Sequence, residues 1–326
     1  VSIIHYLMKR IYLTMLRFVP NLYDVFFRIA GKKTSGGAVR AAFAWVMMRT
    51  MGRIIRTYQP DLVVATHPFP EGAAALWRIR HGEHFPLAAL LTDYALHAIW
   101  FVHDVDAYFV ATEAMADEMA MLGFDRRRIH ATGIPIVLSA SRLARREARV
   151  QAGISEELPT LLLMGGGLGL GDMDATLAAL EQVEQRLAIL VVAGRNASLE
   201  ERARARGKRS HHAVYVSGYT HDVPVLMRAA DLLITKPGAL TISEAFAAGL
   251  PLLLHDPIPG PETENAVYAT RCGAAVWLHP GERMAPAVED ILAHHLPVMR
   301  RAARDCAREE AAQRVAEILT EMLQRK

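Results

Sequence analysis

The chain predicts an α/β protein of two doubly wound, parallel-sheet domains, and three observations carry that reading. Short apolar runs alternate with helical patterning along almost the whole sequence, the rhythm of parallel strands covered by helices on both faces. At 326 residues, with 52% hydrophobic and 22% charged side chains, the chain is globular in composition and long enough for two domains. An Arg- and Ala-rich helical stretch ending near Pro159 separates a first set of runs from a second. The expected organisation is an N-terminal domain over 1–138, a connection over 139–158, a C-terminal domain over 159–289 and one long charged helix over 290–326.

Helical patterning dominates residues 1–57. Strands are then expected at Asp61–Thr66, Pro86–Thr92, Ala107–Thr112 and Arg128–Gly133. The second set comprises Thr160–Met164, Ala188–Ala193, Ala213–Ser217, Asp231–Thr235, Pro251–Leu254 and Ala274–Trp277. Open sheets of this kind bind ligands at the carboxyl ends of their strands, so a cleft between the domains is expected there.

Charge is distributed unevenly. Residues 1–56 hold ten Lys and Arg against one acid, Asp24; that is +9, and a chain total of +3 leaves −6 for the remainder. Such a basic, aromatic-rich front end fits an anionic surface, although a solvated face of ordinary helices would look the same. The apolar stretch Val1–Val19 is cut by Lys9, Arg10 and Arg17, which disfavours both a membrane span and a signal peptide. Two cysteines, Cys272 and Cys306, are too few for a disulfide scaffold and favour a reducing compartment.

The densest chemical signal is Leu161–Met173, LLLMGGGLGLGDM. An apolar strand breaks into five glycines before a helix, an arrangement that brings bare backbone amides and the positive helix end to one anion. The G-x-G-x-x-G spacing fails, since Leu170 or Asp172 falls where the last glycine belongs, and no Walker lysine is present. NAD and ATP sites are thereby disfavoured. A second element, Thr235–Glu244, passes from a strand through Pro237-Gly238 into a helix. Its amides could cap a phosphate and Glu244 could accept from ribose hydroxyls, or Thr241 or Ser243 could simply cap the helix. In the third, Pro257–Asn265, prolines hold a loop and the acids and amide that follow suit sugar hydroxyls. Two short acidic pairs, Asp104/Asp106 and Asp172/Asp174, look like metal-binding DxD motifs but are short enough to arise by chance.

Together, MGGGLGLG, VVAGRN, TKPGALTISEAFAAGLPLLL and PIPGPETENA, with Thr92-Asp93-Tyr94 and Thr132–Ile136 in the front half, resemble the family-28 glycosyltransferases, in particular the processive diacylglycerol glucosyltransferases and monogalactosyldiacylglycerol synthases. The resemblance implies a GT-B fold of two Rossmann-like domains. It also implies a UDP-sugar held by the C-terminal domain, with Gly165, Gly166, Gly167 and Gly169 against the diphosphate and Glu244 on the ribose. Gly194, Tyr219, Lys236, Gly238 and Thr241 would lie along the same donor, the backbone around Tyr219 meeting the uracil, while Glu262 and Asn265 would meet the sugar. Such enzymes need no cofactor and no bound metal. The family carries Gln-Glu after Pro-Ile-Pro-Gly, where this chain has Pro261-Glu262. It also begins with a strand and a glycine-histidine loop upstream of Val1, so the N-terminal domain is expected to be truncated by that segment.

The resemblance implies inverting transfer of a hexose from a UDP-sugar to a lipid hydroxyl such as that of diacylglycerol. The enzyme would sit as a peripheral protein on an anionic membrane, at the cytoplasmic face, with no nucleic-acid partner. Transfer of GlcNAc to a polyprenyl-linked acceptor and nucleotide-sugar binding without turnover are the alternatives. Asp93 and His97, after the PLAALLT strand, are the catalytic candidates, with a structural Asp–His pair as the competing reading and His67 a weaker choice.

Overall fold

The computed structural model describes residues 33–138, 143–154, 157–165, 173–258 and 260–324, with side chains from residue 41 onward. Val1–Val19, Gly166, Gly167, Gly169 and Asp172 lie outside the described residues. The chain divides into two compact units. One runs to Pro135 and includes Ile258–Pro261 and everything from Glu310; the other comprises Ile136–Pro257 and Glu262–Glu309.

In the first unit, helix α1 (Lys33–Tyr58) precedes β1 (Val63–Ala65), α2 (Pro68–His81), β2 (Leu87–Leu90), β3 (Ala107–Val110), α3 (Glu113–Met121) and β4 (Ile129–Ala131). The strands pair in sequence order, all parallel. Helix α1 turns Ala44, Gly52 and Ile55 inward at helical spacing. Gly52 is required there by packing: a Cβ on it would stand 2.1 Å from the Trp77 ring of α2.

The second unit holds α4 (Arg145–Gln151), β5 (Thr160–Met164), α5 (Met173–Leu180), β6 (Ala188–Val192), α6 (Ala197–Gly207), β7 (Ala213–Ser217) and α7 (Val223–Ala229). It continues with β8 (Leu232–Thr235), α8 (Ala239–Ala247), β9 (Leu252–Leu254), α9 (Pro261–Arg271), β10 (Ala275–Trp277), α10 (Met284–Asp290) and α11 (Leu296–Cys306). The parallel sheet has the order β10-β9-β8-β5-β6-β7. Leu161, Leu162, Leu163, Leu232, Leu233 and Ile234 are wholly buried. Both faces of the central strands are covered, which is why the runs read as continuously apolar; each such side chain contributes about 1.5–3 kcal/mol of burial.

All ten expected strands are present, Thr160–Met164 and Ala213–Ser217 with the expected bounds and the other eight shorter by a residue or two at one or both ends. The single C-terminal helix is not. A π-helical turn, Ile291–His295, follows α10, because Pro297 has no N–H to donate to the Ala293 carbonyl. Ala307 then turns extended (φ −63°, ψ 145°) and ends α11. The chain restarts as α12 (Ala311–Gln324), which belongs to the first unit. There Val315, Ile318, Leu319 and Met322, one helical stripe, pack on Ala88, Leu90, Ala107 and Phe109. No helix among the described residues is long and apolar enough to cross a membrane.

Candidate functional site

The six-stranded sheet winds outward in both directions from the neighbouring strands β5 and β8. Where the winding reverses, the connections leaving the two strands diverge to opposite faces and open a crevice at the carboxyl edge. Gly165 follows β5 and is buried. Lys236-Pro237-Gly238 follows β8, tightened by a 2.8 Å bond from the Gly238 N–H to the Lys236 carbonyl, and leads directly into α8.

The first amides of a helix have no intrahelical acceptor, and at the start of α8 the N-cap, Gly238, brings no side chain to cap them. Neither hydroxyl expected as a possible cap takes that role: Gly238 is the N-cap, and Ser243 Oγ donates back to the Ala239 carbonyl at 2.8 Å. Gly238 has φ −69°, allowed for any residue, and among the described residues a Cβ on it would meet nothing nearer than Thr241 Oγ1 at 3.9 Å. Backbone geometry and packing therefore leave this glycine unexplained, whereas a ligand resting on the helix end would explain it.

The other C-terminal candidates lie along the same edge. Gly194 (φ 59°) turns the chain after β6. Tyr219, after β7, is 56% exposed, with the Arg195 guanidinium 4.9 Å from its ring centre and His221 edge-on at 5.2 Å. Thr241 and Glu244 are half-buried on α8, and burial raises the Glu244 carboxyl above its ordinary value. On α9, Glu262 is half-buried and Asn265 is 1% exposed. The structure adds a pair missed in the sequence. Buried His255, directly after β9, has Nδ1 3.0 Å from Asp256 Oδ2, and Asp256 takes φ 43°. A polar His-Asp directly after an apolar strand was the available signal.

The four-stranded sheet has a different carboxyl edge. His67 follows β1 and caps α2, its Nδ1 accepting from the Phe69 N–H at 3.4 Å. The residue as a whole is exposed, but its ring lies against the Phe69 ring (5.0 Å between centres). The resulting burial pushes its pKa below the ordinary value, while the charge of Asp93 pulls it up. Asp93 follows β2, the neighbour of β1, so the structure couples it to His67. His97 is half-buried and caps the short turn Ala98–Trp100, Nδ1 accepting from the Ile99 N–H at 3.4 Å.

Of the two DxD look-alikes, Asp106 pairs with Arg78 at 2.5 Å and accepts from the Leu87 N–H, and the Asp104 carbonyl also accepts from Arg78. Asp174 pairs with Arg202 at 2.6 Å. Glu181, His211 and His212 lie close enough together to suggest a metal. Both ring nitrogens of His212 are already used, however: Nδ1 accepts from the Leu187 N–H (3.3 Å) and Nε2 meets the Leu180 carbonyl (2.9 Å). Their role is to tie α5 to the base of β6.

Two family profiles cover most of the chain: monogalactosyldiacylglycerol (MGDG) synthase over residues 2–136 and glycosyl transferases group 1 over residues 144–309. The processive diacylglycerol beta-glucosyltransferase of Bacillus cytotoxicus is 33% identical over 270 residues, 82% of this chain and 69% of that protein. Its Bacillus subtilis counterpart is 31% identical over 252 residues, 75% of this chain and 64% of the relative. Among solved structures, Acinetobacter baumannii MurG shares the fold with a TM-score of 0.64 at 20% identity, covering 84% of this chain and 77% of that one. Anabaena Alr3699/HepE, solved in complex with UDP, has a TM-score of 0.56 at 16% identity and covers 83% and 82%. The fold is thus GT-B, and the chain belongs to the glycosyltransferase family of the processive diacylglycerol glucosyltransferases and monogalactosyldiacylglycerol synthases.

Proposed function

We propose that this protein transfers a hexose from a UDP-sugar to the free hydroxyl of diacylglycerol, with inversion at the anomeric carbon. The observation that carries the donor half is the N-terminus of α8 beside Gly165 at the switch point, where the N-cap is a glycine with no side-chain cap and a Cβ on it would meet nothing nearer than 3.9 Å among the described residues. Backbone amides and a helix end there would take up the negative charge that develops on the departing diphosphate, without a metal or cofactor. Arg195 and Tyr219 at the end of the neighbouring strands offer a flat, cationic-aromatic platform for the base. The names of the relatives support diacylglycerol as acceptor.

For the acceptor, His67 is suited to take the hydroxyl proton. Its ring is held in the neutral form, and Asp93 would stabilise the imidazolium as the proton arrives. The outer face of α1 exposes Trp45, Val46, Ile54 and Tyr58 among Arg49, Arg53 and Arg56, a composition suited to docking on an anionic bilayer. We place that bilayer at the cytoplasmic face.

The deciding experiment incubates the protein with UDP-[14C]glucose or UDP-[14C]galactose and diacylglycerol vesicles, then assigns the anomeric configuration of the product by NMR. A β-glycosyl diacylglycerol from an α-linked donor supports the reading. Label transferred only from UDP-GlcNAc to a polyprenyl-linked acceptor, or UDP-sugar binding without lipid product, overturns it.

A further inference from the structure

At the opposite end of the six-stranded sheet, where β5 and β8 begin, lies a cavity of about 300 Å³ inside the second unit. Its polar wall is built on Asp231, the residue before β8. Asp231 Oδ1 accepts from Arg145 of α4 and from Arg300 Nη2 of α11 (2.5 Å). Oδ2 accepts from Arg149 Nη2 (2.6 Å) and from the Thr160 N–H (2.8 Å). A carboxylate offers about four acceptor positions, so this one is full.

Three guanidiniums nevertheless converge on it, and each brings about five N–H donors. Arg149 spends its Nε on the Ala229 carbonyl. Arg300 Nε is buried with no hydrogen-bond partner among the described residues, and Arg145 has Asp231 as its partner. Among the described residues Glu157 is the other acid lining the cavity, so three cations there face two carboxylates, and Arg145 also feels the charge of Arg228. Burial pushes the Arg145 pKa down to about 10; Asp231 opposes the shift, and Arg300, Arg149 and Arg228 reinforce it. An arginine clamp that existed to hold α4 and α11 to the sheet would need one guanidinium per carboxylate edge and no open volume. Here the surplus donors border a space at the lower end of the range for small-ligand pockets, roughly 300 Å³. Leu158, Pro159, Leu292 and Leu296 form its apolar side.

The geometry points to a second anion site, in which Arg145 and Arg300 bind the phosphate group of a small soluble phosphomonoester at the amino edge of the six-stranded sheet. Guanidiniums grip phosphate oxygens in a planar fork, and desolvation strengthens each such bond. Strand β5 separates this site from Gly165 by on the order of 15 Å, so the ligand would be bound independently of the donor crevice.

The test uses the full chain and inorganic phosphate as probe, titrated by calorimetry at constant ionic strength with UDP in excess to occlude any phosphate site at the donor edge. The expected result is one saturable site that also raises the melting temperature, with affinity about tenfold weaker in Arg145→Gln/Arg300→Gln. Circular dichroism checks that the variant folds; if it does not, Arg145→Gln alone, whose side chain is 32% exposed, carries the comparison. Absence of saturable binding in the unaltered protein, or equal affinity in the folded variant, overturns the site.

Discussion

At the switch point of the six-stranded sheet the carboxyl edge presents backbone, in Gly165, the Pro237-Gly238 turn and the start of α8, and its titratable His255–Asp256 pair stands one strand further out, after β9. The carboxyl edge of the four-stranded sheet presents titratable side chains, with His67 and Asp93 at the ends of adjacent strands and His97 just beyond. Amide dipoles do not titrate, so an anion held by the first edge is held with little dependence on pH. Moving a proton takes titratable side chains, such as those at the adjacent strand ends of the second. The difference divides the labour: one edge suits a diphosphate, the other suits acid–base work.

Four perturbations test this division, from the largest expected effect to the smallest. Replacing the proposed base in His67→Ala should lower kcat by about 100-fold or more while leaving UDP affinity unchanged; steady-state kinetics with both substrates would show it, and an equal loss of donor affinity would contradict the division. Gly52→Ala drives a methyl into the Trp77 ring and should cost roughly 1–3 kcal/mol of stability, read by urea denaturation, with kcat of the folded fraction preserved. Gly238→Val fills the space above α8 and should raise the KM for the donor about tenfold, equivalent to about 1.4 kcal/mol; an unchanged melting curve would confirm that the effect is on the ligand.

The smallest effect is a displacement in pH. Burial holds the His67 pKa in the folded protein below its ordinary value of 6.5, so the neutral, base-competent ring persists to lower pH than that of a free histidine. The acid limb of the rate profile should therefore lie below 6.5. Asp93→Asn removes the charge that raises the His67 pKa, so the limb should move further to the acid side. The linked effect on stability has the same sign: below about 6.5 the unfolded chain takes up the proton first, and His67 then favours unfolding as the pH falls. A limb that stays in place in Asp93→Asn would separate the two residues.

Much of the fold could be read in advance because its signals are local. Leu161–Met164 and Leu232–Thr235 announce themselves as buried parallel strands by unbroken apolar character, and Gly165 and Pro237-Gly238 mark where they end. The positions of Gly165, Gly194, Tyr219 and Lys236 were legible for the same reason, since each lies within two residues of a strand end. The carboxyl edge of the four-stranded sheet was less so. The parallel pairing of β1 and β2 sets the end of one strand beside the end of the other, and so brings His67, distant in sequence, within electrostatic reach of Asp93.

The sequence by itself thus determined the strands, the helices between them and the glycine turns, because periodicity and turn chemistry act over a few residues. Only the tertiary structure decided which distant side chains share a charge. Arg145, Arg149 and Arg300 meet Asp231 because the sheet order places the start of β8 beside the start of β5 and lays α4 and α11 across that end. It likewise broke the terminal helix at Ala307, so that α12 could bury its Val315–Met322 stripe on the four-stranded sheet. An amphipathic stripe states that it needs a partner; which surface it covers is settled by packing alone.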